Sequence, residues 1–224
     1  MKPISAQPNR AELTYQALLD EICDGSLSPG THLVQEEVAA QLGVSRQPVQ
    51  QALARLRDDG LIEEAPGRGM RVSSLDLSKM RDHYQIRNAL DVLAAGLAAE
   101  RAAQSPAVAA EIIQVGEPII EAGHKALRRG AIREMVRHDI AFHACVYASS
   151  GNSLIAPTAE FHWRFLRRVM GDVLRRAQPP ANIWRQHEEI LDAIVNGSVD
   201  LAKDRAGHHI NKASDSLETV FHPG

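Results

Sequence analysis

From Leu75 onward, apolar residues recur at helical intervals and no stretch keeps the two-residue alternation of a strand. Most of the chain is thereby confined to an all-helical bundle. Glycine and proline punctuate it. The spacing predicts helices near 79–104, 106–129, 132–149, 153–176, 181–197 and 199–220, with breaks at Ser105-Pro106, Gly130, Gly151-Asn152, Gln178-Pro179-Pro180 and Gly197-Ser198. The first 75 residues read differently. Leu13, Ala17, Leu18 and Ile22 mark a helix that ends at Gly25, and Ser28-Pro29-Gly30 makes a turn. A short helix over 36–42 turns Val38, Ala39 and Leu42 inward, Gly43 supplies a left-handed stop, and Ser45 is placed to N-cap a third helix that ends at Gly60. That helix tolerates Pro48 in its first turn and buries Val49, Leu53 and Leu56. Extended segments over 61–65 and 69–73, joined by Pro66-Gly67-Arg68, read as a hairpin. The expected fold is mostly α. Residues 1–75 form three helices plus a β-hairpin wing, and residues 76–224 form an all-α bundle of about six helices.

Composition removes several function classes. No run approaches the roughly 18 apolar residues of a membrane span, and even the stretch over 90–99 is interrupted by Asp91. The first twenty residues hold no signal-peptide block, so a cytoplasmic location without a membrane partner is expected. The two cysteines, Cys23 and Cys145, fall in separate domains, which excludes a disulfide framework or a cysteine-based zinc site. Residues 1–75 carry seven Lys/Arg against ten Asp/Glu, and residues 76–224 carry eighteen of each. Neither part is basic overall, so any nucleic-acid binding must come from locally placed arginines.

A short helix, a tight turn, a capped helix and a hairpin follow in the order of a winged helix-turn-helix. A recognition helix enters the major groove by its N-terminal end, which would present Ser45, Arg46, Gln47, Gln50 and Gln51 to double-stranded DNA, with Arg68 and Gly69 at the wing tip. Arg46 can take a phosphate or the O6/N7 pair of guanine, and Gln47 and Gln50 match the edge of adenine. By spacing alone, a generic three-helix module with solvated Gln and Arg fits as well. Resemblance separates the two. The run Ile22-x-x-Gly25-x-Leu27-x-Pro29-Gly30, then Leu42-Gly43-Val44-Ser45-Arg46-Gln47-Pro48-Val49, then Ala52-Leu53-x-x-Leu56 and Gly60-Leu61-Ile62, resembles the DNA-binding domain of GntR family transcription regulators. Arg46, Gly67, Arg68 and Gly69 match that pattern. Gln50 departs from it, since the family commonly has arginine there, so that contact does not carry over.

Ten histidines are the oddity of the chain, and nine of them fall after residue 75. About one acid-x-x-x-His pair is expected by chance, and the helix over 132–149 holds two. Glu134 and His138 point away from its apolar stripe of Ile132, Met135, Val136, Phe142 and Val146, whereas Asp139 and His143 lie within it. The same test turns His187 inward with Ile183, Ile190, Leu191 and Ile194, and His209 inward with Ala202, Ala206, Ala213, Leu217 and Val220. His208 shares a face with Arg205, Lys212 and Asp215 and reads as solvated. One inward carboxylate and three inward imidazoles make the donor inventory of a divalent transition metal, zinc foremost, with nickel, manganese and iron as alternatives. The bland alternative for each histidine is a core imidazole bonded to a carbonyl. Arg87 also lies inward, with Met80, Tyr84, Leu90, Ala94 and Leu97. Its partner is either Asp91 one turn on or a small carboxylate held between Arg87 and the metal. The faces of His124, His162 and Arg164 are ambiguous.

Tyr84-x-x-Arg87-x-x-Leu90-Asp91, Asp139-x-x-Phe142-His143 with Ser150-Gly151-Asn152, Gln186-His187-x-x-Ile190-x-x-Ala193-Ile194 and Ala206-x-x-His209-Ile210 are similar to the ligand-sensing helical (FCD) domain of the FadR-type branch of GntR regulators. The resemblance implies metal ligation by Asp139, His143, His187 and His209, and effector binding by Arg87 and Asn152. It also implies a homodimer on a palindromic operator, with DNA affinity controlled by a small organic acid, most simply as a repressor. A regulator with structural histidines and an apolar acyl-type effector, and a metal-dependent hydrolase, are the alternatives. No general base stands out for the hydrolase, so an enzyme is not expected.

Overall fold

The structure, a computed structural model, describes residues 10–67, 69–176 and 182–221. Its contacts divide the chain into Met1–Leu75 and Asp76–Gly224.

In the first unit, α1 (Arg10–Asp24), α2 (Gln35–Leu42) and α3 (Arg46–Asp58) pack around a small antiparallel sheet of β1 (His32–Leu33), β2 (Ile62–Glu64) and β3 (Met70–Val72), in the order β1-β3-β2. The expected hairpin is β2–β3, in the register Ile62↔Val72, Glu63↔Arg71 and Glu64↔Met70. β1 has no counterpart in the sequence reading, because two residues are too short to show an alternation. It pairs with β3 through His32↔Arg71 and Leu33↔Met70. Gly43 adopts φ +63 and its amide bonds back into α2, so the chain leaves that helix sharply enough to start α3 three residues later. Ser45 is the N-cap residue of α3 in extended conformation, but its side chain makes no capping hydrogen bond, which corrects the expected cap. The phase of α1 is also corrected. Leu13 is exposed and Tyr15 and Leu19 are buried. The tyrosine turns the helix this way because its ring packs inside while its hydroxyl donates to Asp59 Oδ2 at 2.6 Å and the Arg55 guanidinium lies 4.0 Å over the ring.

The second unit is a bundle of α4 (Leu77–Gln104), α5 (Pro106–Arg128), α6 (Ile132–Ser149), α7 (Ile155–Arg176), α8 (Ile183–Val195) and α9 (Val199–Phe221). Asp76 caps α4 through the amides of Ser78 and Lys79, and Ser105 caps α5 with Pro106 in the first turn. The predicted break at Gln178-Pro179-Pro180 lies outside the described residues. Alanines 94, 95, 98, 99, 202 and 206 are buried in the core, and their small side chains let helix backbones come close. No helix is long and apolar enough to cross a membrane among the described residues.

A close approach between α5 and α8 positions the site. A Cβ built on Gly123 would lie 2.2 Å from the ring of the buried Trp184, and that ring stands edge-on to His187 with centroids 4.8 Å apart. Gly123→Ala is therefore expected to destabilise the protein by about 1–3 kcal/mol through overpacking. Chemical denaturation checks it, and an unchanged midpoint would show that Trp184 can shift at little cost.

Candidate functional site

Four buried donors meet inside the bundle. Asp139 and His143 stand one turn apart on α6, His187 comes from α8 and His209 from α9, and one ligand atom of each lies within 4.8 Å of all the others. His187 Nε2 is 3.3 Å from Asp139 Oδ1 and 3.2 Å from His209 Nε2, and His143 Nε2 is 4.0 Å from Asp139 Oδ2. Lone pairs converging at such distances need a proton or a cation between them. Asp139 Oδ2 and His143 Nε2 are buried without any hydrogen bond, which a cation at this point would relieve. Three nitrogens and one carboxylate oxygen form a donor set suited to a divalent transition metal, so the residues fit such an ion.

The next layer orients these donors. His143 donates from Nδ1 to Asp91 Oδ1 at 2.5 Å, and the Tyr147 hydroxyl donates to Asp91 Oδ2 at 2.8 Å. His209 donates from Nδ1 to Gln186 Oε1 at 2.9 Å. In both histidines the proton sits on the outward nitrogen, leaving Nε2 bare toward the cluster. His187 has no such support, since its Nδ1 finds no hydrogen bond. It is held by packing against Phe142, 4.4 Å away between centroids, and Trp184.

Arg87 of α4 borders the cluster. Its guanidinium lies 4.0 Å over the Trp163 ring, with Nε 3.6 Å from Asp91 Oδ2 and Nη2 3.7 Å from Asp139 Oδ2. Neither nitrogen makes a hydrogen bond. The two carboxylates balance the charge without occupying the donors, which leaves them able to bind an added anion. Burial opposes the charge on Arg87, and Asp91 and Asp139 more than restore it. Burial likewise works against the Asp91 and Asp139 carboxylates. For Asp91, His143, Arg87 and Tyr147 overcome it and hold the carboxyl below its ordinary range. For Asp139, His187, His143 and Arg87 do the same and bring it well below.

The remaining candidates fall elsewhere. Asn152 is exposed and its Oδ1 accepts the Leu154 amide, so it shapes the turn before α7 and does not join the cluster. This corrects its placement beside the effector: an asparagine after a helix-ending glycine is used by the local turn. His124 pairs with Glu188, His162 with His83, and Arg164 with Glu160, so the ambiguous trio has partners outside the donor set. His208 is exposed, as its face predicts.

In the N-terminal unit, Ser45, Arg46, Gln47, Gln50 and Gln51 are all exposed on one end of α3. Pro48, Val49, Ala52 and Leu53 face the core and fix which side α3 presents. Arg46 rests against Glu36 of α2 at 2.5 Å, an exposed pair whose opening costs about 0–1 kcal/mol. Gly69 is exposed beside β3, and Arg68 lies outside the described residues.

Comparison with known families decides the identity. Residues 10–72 match the model for bacterial regulatory proteins of the gntR family, and residues 82–212 match the FCD domain. The chain belongs to the GntR family. It is a DNA-binding transcription regulator with an FCD domain, and its relatives are regulators rather than enzymes. It is 30% identical over 220 residues to an uncharacterized HTH-type transcriptional regulator in an unstable DNA locus of Streptomyces ambofaciens, covering 98% of this chain and 89% of that protein. It is 27% identical over 206 residues to the HTH-type transcriptional repressor RspR of Escherichia coli K12, covering 92% and 88%. The solved structure of E. coli McbR/YncC shares the fold with a TM-score of 0.79 at 19% identity, covering 98% of this chain and 100% of that one.

In this GntR regulator the helical phase test selected residues that the fold brings together: Asp139, His143, His187, His209 and Arg87. It missed the supporting layer. Tyr147 follows His143 by one turn on the same face and Gln186 adjoins His187, so both carried a positional signal. Asp91 pairs with Arg87, as its spacing allows, and also accepts from His143, which the spacing does not show.

These environments make the apo protein acid-sensitive. Burial lowers the His187 and His209 imidazoles from 6.5 and pushes His83, stacked on Phe165, down to about 4. The unfolded chain then takes up protons that the folded chain refuses, so stability present above pH 6.5 is lost as pH falls toward the folded values. The midpoint temperature of chelator-treated protein is expected to hold above that pH and drop by several degrees toward pH 5. A flat profile by differential scanning fluorimetry would contradict these environments.

Proposed function

We propose that this regulator is a homodimeric repressor whose helical domain, residues 76–224, binds one divalent transition metal ion and a small carboxylate effector, while residues 1–75 bind a palindromic operator. The observation that carries the reading is the convergence of Asp139, His143, His187 and His209 within 4.8 Å beside an arginine whose Nε and Nη2 lack hydrogen bonds. Asp139, His143, His187 and His209 would hold the ion, zinc first among zinc, nickel, manganese and iron. Bound there, the ion supplies Lewis acidity that anchors an oxygen ligand, since four protein donors leave one or two positions on a five- or six-coordinate metal. Arg87 would grip the other end of the same carboxylate through Nε and Nη2, held flat by Trp163.

In the head, Arg46, Gln47, Gln50 and Gln51 would read bases or phosphates from the start of α3, with Ser45, Arg68 and Gly69 assisting at the backbone. Two heads on one DNA face require half-sites about one helical turn apart, so a change in dimer geometry on effector binding is enough to alter affinity. The name of RspR, a transcriptional repressor, supports the sign of control. The absence of a membrane-spanning helix among the described residues agrees with action on cytoplasmic DNA.

Two experiments test this reading. Arg46→Ala should weaken retention of the DNA upstream of the regulator's own gene at least about tenfold in a gel-shift assay while leaving helical content intact. Unchanged retention removes the head from DNA recognition. Untagged protein prepared without chelator should contain about one transition metal per chain by inductively coupled plasma mass spectrometry, lost in His187→Ala and kept in His208→Ala. Equal metal contents in the two variants would sink the metal assignment.

A further inference from the structure

Asp91 belongs to no ligand set, yet it touches His143, Tyr147 and Arg87 at the edge of the site. Its Oδ1 accepts from His143 Nδ1 and its Oδ2 from the Tyr147 hydroxyl, and Arg87 Nε lies 3.6 Å away. It is as buried as the donors themselves. Among the described residues, the charged side chains that pair at the donor set are Arg87, Asp139 and Asp91, and an imidazole that ligates a metal through Nε2 with its proton on Nδ1 adds no charge of its own. A divalent ion on the four donors would leave this group one positive charge in surplus. One carboxylate cancels that surplus, and a second has nothing to meet. The rings of Trp163, over Arg87, and of Phe142 and Trp184, both against His187, also border the site. An uncompensated charge against aromatic walls in a buried site is strongly disfavoured.

We propose that Asp91 is a positioning residue that sets the charge of the site, so that it takes a singly charged carboxylate in preference to a doubly charged one of the same length. This rests on the carboxylate-sensing reading above. Asp91 acts from behind the ligands: it holds His143 in its metal-facing tautomer and removes one unit of the positive charge that Arg87 would otherwise offer to the effector. Replacing it with a neutral isostere keeps an acceptor for His143 and frees that unit of charge for a second carboxylate.

The test uses zinc-loaded full-length protein near neutral pH, with butanoate and succinate as the probes: the same four-carbon chain with one or two carboxylates. Affinities are read by isothermal titration calorimetry, and zinc content is measured in parallel. Butanoate should bind the wild type about tenfold or more tighter than succinate. Asp91→Asn should reverse or abolish that order, Asp91→Glu should restore it, and Tyr147→Phe, which removes a hydrogen bond and no charge, should leave it as in the wild type. Succinate outbinding butanoate in the wild type overturns the proposal without any variant, so a misfolded or zinc-free Asp91→Asn cannot shelter it. Butanoate preference that persists in zinc-loaded Asp91→Asn overturns it as well. Binding of neither acid to the zinc-loaded wild type overturns the carboxylate reading itself, and the proposal with it.

Discussion

The bundle is organised around one electrostatic demand: Asp139, His143, His187 and His209 are all buried, and their bare donor atoms face one another. Each such group costs free energy in an apolar interior unless something pairs with it. The surrounding core is built to make that convergence unavoidable. Phe142 sits beside His143 in sequence and packs against His187 in space, so a residue that fills the core also aims a donor. Trp184 does the same from α8, and it fits only because Gly123 has no side chain. Packing and site geometry are one arrangement here.

Arg87 and Asp91 extend that demand to α4. A guanidinium stacked on Trp163, flanked by two carboxylates yet lacking hydrogen bonds on Nε and Nη2, is charge-balanced but not saturated. That combination is what a sensor needs, because a fully bonded arginine would have to break contacts before binding anything. The DNA-binding unit uses the opposite strategy. Its residues 1–75 carry more acid than base, so affinity for DNA has to come from a few locally placed side chains and not from a general field. Arg46 leans on Glu36 in an exposed ion pair that holds its charge only loosely.

Much of the fold was legible because helical phase is a local property. The ends of α4, α5, α6 and α9 fall within about two residues of where proline, glycine and capping residues place them. The inward set of Asp139, His143, His187, His209 and Arg87 followed from the same period. Failures arose where a residue served two environments. Tyr15 rotated α1 because its ring is buried while its hydroxyl reaches Asp59, a contact 44 positions away that no local pattern shows. Asn152 looked available for a ligand and is spent on its own turn. The two-residue strand β1 exists only because β3 offers it an edge.

By itself, then, the sequence determined the division near residue 75, the helix boundaries of the bundle and which of its site residues point inward, since all of these follow from spacing along one chain segment. Only the tertiary structure decided which inward residues meet. Asp91 reaches His143 across 52 positions and Gln186 reaches His209 across 23, and both contacts depend on how separate helices cross and which rotamers their packing allows. A helical period places a side chain on a face, and it takes the neighbouring helices to place another group in front of it.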